Sequence, residues 1–180
     1  DSNTTGANNI AIGVASMDGS TGASANYAIG NYTMRNLTTG TANYAFGQNA
    51  LNNLTTGNRN IAIGKNSMYS GTVTHDNVCI GEQSGYNLTD GNAYYNVAIG
   101  SYALDAASTS HSNTCIGYGA ASQLQTGNAN ICIGTWAMLG ATGNANSNVI
   151  IGHTAAYDLT TGTNNVCIGT AAGYLSLIHI

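Results

Sequence analysis

Asn60-Ile61-Ala62-Ile63-Gly64 decides the fold, because it is one of ten copies of Asn-x-(Ala/Cys/Ile)-(Ile/Phe)-Gly in a chain of 180 residues. The copies end at Gly13, Gly30, Gly47, Gly64, Gly81, Gly100, Gly117, Gly134, Gly152 and Gly169, so successive spacings are 17, 17, 17, 17, 19, 17, 17, 18 and 17 residues. A short fixed period that tiles a chain means stacked units that bury their apolar surfaces against neighbouring copies. Chemistry must therefore be sought in columns of equivalent positions.

The most uniform column holds Asn9, Asn26, Asn43, Asn60, Asn77, Asn96, Asn113, Asn130, Asn148 and Asn165. Stacked side-chain amides can donate to and accept from one another, which satisfies polar groups that are otherwise costly to bury and requires parallel, in-register coils. The four residues after each Asn read as a short β-strand. Past the glycine, the third position is always small (Ser16, Thr33, Ala50 and so on), and the fourth collects all four methionines, Met17, Met34, Met68 and Met138. Leu37, Leu54, Leu88, Leu124 and Leu159 follow three positions later, in the clearest units ahead of Thr-Thr-Gly. Leu-Thr-Thr-Gly has the chemistry of a strand end entering a turn. The expectation is an all-β, parallel β-solenoid of about ten 17-residue coils with an Asn ladder, each coil holding two short strands and two turns. The extra residues near Tyr94-Tyr95 and Ser147 fall before the motif Asn, where a loop can absorb them.

Period-two geometry places Ile10 and Ile12 on one face of the motif strand and Asn9, Ala11 and Gly13 on the other. With the large residues turned inward, the core is Ile, Met and Leu, and a flat strip of Asn, Ala, Cys and Gly remains outside as an interface for other copies. With Ala turned inward the faces exchange roles.

Residues 1–174 form one repeat domain, with no second domain to find. Leu175–Ile180 abandons the repeat, resembles translated sequencing-adaptor sequence, and is set aside. The chain begins with the repeat already under way and shows no polar cap at either end, which reads as a fragment of a longer protein. Charged residues make up 6% and the net charge is −4, which excludes a basic footprint: Arg35, Arg59 and Lys65 are too few to neutralise a nucleic-acid backbone. No apolar run approaches a membrane span, so no membrane insertion is expected in this segment.

Cys79, Cys115, Cys132 and Cys167 share a column with Ala11, Ala28, Ala45, Ala62, Ala98 and Ile150, and so read as small buried thiols rather than ligands or disulfide partners. His75 and His111 share a column two coils apart, and His153 and His179 stand alone. Asp18, Asp76, Glu82, Asp90, Asp105 and Asp158 scatter. Hydrolytic chemistry needs convergent groups, so no catalytic residue, cofactor or metal is expected. A calcium-binding β-roll would carry a regular Asp column, and none is present. Tyr69 with Tyr86, Tyr27 with Tyr44, and Tyr157 with Tyr174 fall in shared columns as stacked aromatics. Exposed members, namely Tyr69, Tyr86, Tyr157 and the lone Trp136, are candidate contacts for a sugar or protein.

Units such as Asn60-Ile61-Ala62-Ile63-Gly64 with Leu-Thr-Thr-Gly turns resemble the head repeats of trimeric autotransporter adhesins and the Asn-x-Ala-Ile-Gly arrays of phage tail fibres. The resemblance covers residues 1–174. It implies a left-handed roll assembled as a homotrimer, an extracellular, cell-surface or virion location, and attachment to a host receptor or glycan. The right-handed preference of parallel crossovers argues against that handedness. The expected function is a structural and adhesive rod, and the rival is an ice-binding solenoid presenting Thr38-Thr39 and Thr55-Thr56.

Overall fold

The structure, a computed structural model, describes residues 4–89 and 91–173. It is a parallel β-solenoid. Ten strands of three residues each form one sheet in strict chain order: β1 (Ile10–Ile12), β2 (Tyr27–Ile29), β3 (Tyr44–Phe46), β4 (Ile61–Ile63), β5 (Val78–Ile80), β6 (Val97–Ile99), β7 (Thr114–Ile116), β8 (Ile131–Ile133), β9 (Val149–Ile151) and β10 (Val166–Ile168). Equivalent residues pair directly, as Ile61 with Val78, Ala62 with Cys79 and Ile63 with Ile80. The insertions leave this register intact, since Val78 still pairs with Val97 and Ile131 with Val149. Nine spacings of ~4.8 Å give a sheet roughly 43 Å long. Asp90, Tyr174 and Leu175–Ile180, read above from the sequence, lie outside the described residues.

Among the described residues one strand per coil is present, not two. The stretch read as a second strand is a series of tight turns, in which Ser67 N–H donates to Gly64 C=O at 3.3 Å and Gly71 N–H to Met68 C=O at 3.3 Å. Coils stay bonded to each other here too, for example Thr38 N–H to Thr55 C=O at 2.8 Å. Three positions per coil adopt φ near +55°, as at Tyr32 (58°), Met34 (48°) and Ala42 (56°). Extended pairing cannot continue through such residues.

The facing of the motif strand is also the reverse of the expected Ile-filled core. Ala28, Ala45, Ala62, Cys79, Ala98, Cys115, Cys132 and Ile150 are fully buried, whereas Ile12 is 58% and Ile168 65% exposed. The reason is volume. From Asn26 to Leu159 each coil already places inside itself an Asn, a small residue and at least one Met or Leu, such as Met68, Leu88 or the pair Leu51 and Leu54. Little room is left for two further branched side chains, so the strand turns its small residue inward. The methionine and leucine columns are buried as read.

The Asn ladder is continuous and fully engaged. Asn43 Nδ2 donates to Asn26 Oδ1 at 3.0 Å and to Gly57 C=O at 2.8 Å. Its Oδ1 accepts from the backbone N–H of Asn60 at 3.1 Å and from Asn60 Nδ2 at 3.0 Å. The same link runs from Asn26 onto Asn9 through to Asn165 onto Asn148. Four bonds exhaust the capacity of a primary amide, which is why it tolerates complete burial. The motif glycine closes the strand at a backbone angle that other residues avoid: Gly47 has φ +129°, and a Cβ there would stand 2.7 Å from Gly64 O.

Candidate functional site

Among the described residues the outside of the rod carries three distinct surfaces. The first is the outward face of the sheet, two columns wide and ten coils long. Its columns run Ile10, Tyr27, Tyr44, Ile61, Val78, Val97, Thr114, Ile131, Val149, Val166 and Ile12, Ile29, Phe46, Ile63, Ile80, Ile99, Ile116, Ile133, Ile151, Ile168. No charged residue interrupts it.

The second surface is aromatic. Tyr69 and Tyr86 stack at 5.3 Å with planes 13° apart, as column neighbours should, and Tyr27 and Tyr44 on the sheet face stack likewise at 5.0 Å and 13°. Tyr69, Tyr86 and Tyr157 are half-buried, and Trp136 is exposed. The structure does not gather these four candidates into one site. Trp136 belongs instead to a line of rings, with Tyr102 to Tyr118 at 5.7 Å, Tyr118 to Trp136 at 6.0 Å and Trp136 to His153 at 6.1 Å.

The third surface is a cleft of about 510 Å³ lined by Asn58, Arg59, His75, Asp76, Tyr94 and Tyr95. These residues occupy two adjacent columns over three coils, immediately before the motif Asn. Arg59 Nε donates to Asp76 Oδ1 at 2.6 Å and Nη2 to Oδ2 at 2.8 Å, a bidentate pair. The hydrogen bond from Arg59 holds the Asp76 carboxyl below the usual carboxylate range, and the same bond raises the guanidinium. Asn58 N–H donates to His75 Nδ1 at 3.2 Å. Tyr94 stacks on His111 at 5.0 Å and meets Tyr95 edge-on at 5.0 Å.

Sequence reasoning missed this cleft. The signal was present in the columns, since Arg59 and Asp76 are 17 residues apart and so are neighbours on successive coils. The two-residue insertion then brings Tyr94 between His75 and His111, which look isolated when read alone. The other cations are also engaged: Lys65 lies 3.8 Å from Glu82, and Arg35 sits 5.6 Å from the Tyr32 ring centre.

All four cysteines are free and buried. A hydrogen bond with Cys115, then burial, pushes the Cys132 thiol well up, and burial pushes Cys79 and Cys167 up, so these are poor nucleophiles. No group of three His, Cys, Asp or Glu side chains that could hold a metal occurs among the described residues. No helix among them is long and apolar enough to cross a membrane. No family model, curated protein or solved structure matches this chain.

Proposed function

We propose that this chain is a rod segment of a homotrimeric fibre at a cell surface or on a virion, serving attachment to a host or other surface. The observation that carries the reading is the outward face of the sheet. Three residues at ~3.3 Å across and roughly 43 Å along give a strip of roughly 400 Å². The largest apolar patch on a soluble protein is commonly of that order and is often functional. The strip is flat, uncharged and repetitive, so a second copy of the same rod is a fitting cover, and packing rods lengthwise adds stiffness without new elements. The three-fold count is supported by the resemblance to adhesin heads and tail-fibre arrays.

The ice-binding alternative loses support at Thr38 and Thr55, whereas Thr39 and Thr56 stay exposed. Thr38 Oγ1 donates to Thr55 C=O at 2.9 Å, Thr55 Oγ1 to Thr72 C=O at 2.9 Å and Thr72 Oγ1 to Thr89 C=O at 2.7 Å. These hydroxyls tie coils together instead of offering their protons to water. The strip is no better as an ice template, because its first column mixes Ile, Tyr, Val and Thr.

Light scattering on the purified chain tests the proposal. The expected mass is three times the 18.3 kDa of one chain. A stable monomer over the working concentration range removes the fibre reading.

A further inference from the structure

We propose that the cleft formed by Asn58, Arg59, His75, Asp76, Tyr94 and Tyr95 binds a neutral pyranose sugar. The inference deepens the attachment reading, on which its biological use rests, by naming a ligand class and a place.

The volume of about 510 Å³ lies within the ~300–1,000 Å³ range of small-molecule sites. Its polar wall is self-neutralised: the Arg59 guanidinium and the Asp76 carboxylate cancel, so neither an anion nor a cation is preferred. A phosphorylated or sialylated ligand would need an uncommitted cation, and Arg59 is already paired. The pair is nevertheless rich in unused capacity. The guanidinium has five donors and spends two on Asp76, while the carboxylate accepts two bonds and retains further lone pairs. Donors and acceptors side by side in a fixed fork suit vicinal hydroxyls, each of which both donates and accepts. His75 accepts at Nδ1, which places the proton of its neutral ring on Nε2 as another donor.

The aromatic wall supplies the other half of sugar recognition. A pyranose has an apolar C–H face and a polar rim, matching a ring beside polar groups. Tyr95 is 62% exposed, so its ring is open to such a face. Tyr94 is held by His111 on one side and by Tyr95 edge-on, and a pre-set wall lowers the ordering cost of binding. A ligand of about a dozen non-hydrogen atoms in so open a cleft binds on the order of millimolar. Weak sites of this kind become adhesive through multiplicity, which a trimeric fibre provides.

The test is titration of the full chain with methyl glycosides of glucose, galactose, mannose and N-acetylglucosamine, read by saturation-transfer NMR. Two variants are chosen from residues that the repeat itself places in the same column: Tyr95→Ala, as at Ala25, Ala42 and Ala129, and Asp76→Ser, as at Ser112 and Ser147. Tyr102→Ala, as at Ala15 and Ala171, is the control on the separate aromatic line. The wild type should bind at least one glycoside, Tyr95→Ala and Asp76→Ser should each weaken it at least tenfold with an unchanged circular dichroism melt, and the control should bind normally. No saturation transfer from the wild type to any of the four overturns the site, as does binding that survives Tyr95→Ala. A trimer that binds no glycoside defeats this inference alone, and a monomer that binds one defeats the fibre reading alone. If Tyr95→Ala changes the assembly mass and the wild type binds nothing, the cleft is a subunit contact and the proposal fails.

Discussion

Inside each coil, the inward residue of the strand and the residue four past the glycine share one volume. Where the first is Ala the second is large: Ala28 with Met34, Ala45 with Leu51, Ala62 with Met68, Ala98 with Leu104. Where the first is larger the second shrinks: Cys79 with Gly85, Cys115 with Ala121, Ile150 with Ala156. Contact is direct, since a Cβ on Gly85 would stand 2.6 Å from Cys79 Sγ. Cys132 and Met138 are the exception, and their sulfurs lie 3.9 Å apart. A double-mutant cycle follows. Gly85→Ala overpacks and should cost about 1–3 kcal/mol, while Cys79→Ala empties space and should cost about 1 kcal/mol. The double variant should be more stable than the sum predicts, by roughly 1 kcal/mol or more in urea unfolding, because the methyl added by one fills the gap left by the other. Simple additivity would show that the two positions do not share a volume.

At the scale of the coil, the ladder Asn is the element's organising bond. Asn60 Nδ2 reaches Asn43 Oδ1 at 3.0 Å and Thr74 C=O at 2.8 Å, and its Oδ1 accepts from Asn77 N–H at 3.2 Å and Asn77 Nδ2 at 3.3 Å. Asn60→Ala strands buried groups of Thr74 and Asn77 without partners, at about 1–3 kcal/mol for each. The expected loss is roughly 3–5 kcal/mol, and because solenoid coils are coupled to nearest neighbours, hydrogen exchange should quicken around residues 60–78 before it quickens at the ends. A loss under about 1 kcal/mol would mean that the ladder decorates a fold held by other forces. The column Asn9 to Asn165, the strand positions and the buried Met and Leu were legible because each follows from the 17-residue period itself. Which way the strand faces was not, since alternation defines two faces and hydrophobicity favours the one bearing Ile. Variation within columns carried the answer: an outward position accepts Ile, Tyr, Val or Thr, whereas the inward one admits mainly Ala or Cys. The turns were illegible for another reason. Met34, Arg59 and Trp136 adopt φ of 48°, 54° and 55° and carry no side-chain sign of it.

For the whole molecule, the facing of the strand determines what a charge does to it, and this separates folding from assembly. Ala62 and Ile63 are adjacent, yet Ala62 is fully buried and Ile63 is exposed. Glu in place of Ala45 and Ala62 would set two carboxylates inside neighbouring coils, without partners and in a space the size of a methyl group. Desolvation alone opposes that by several kcal/mol per charge, so this variant should lose its β-sheet circular dichroism. Phe46→Lys with Ile63→Lys instead puts two ammonium groups on the outer strip, where a single rod hydrates them freely. In an assembly packed through the strip, the same groups are desolvated and meet their symmetry copies, so repulsion and dehydration both oppose association. If the proposed trimer packs through the strip, the lysine variant should therefore keep the wild-type circular dichroism spectrum while its light-scattering mass falls to that of a monomer. A lysine variant that remains trimeric would place the subunit contact on another surface, leaving the cleft columns or the aromatic line from Tyr102 to His153 as the faces to charge next.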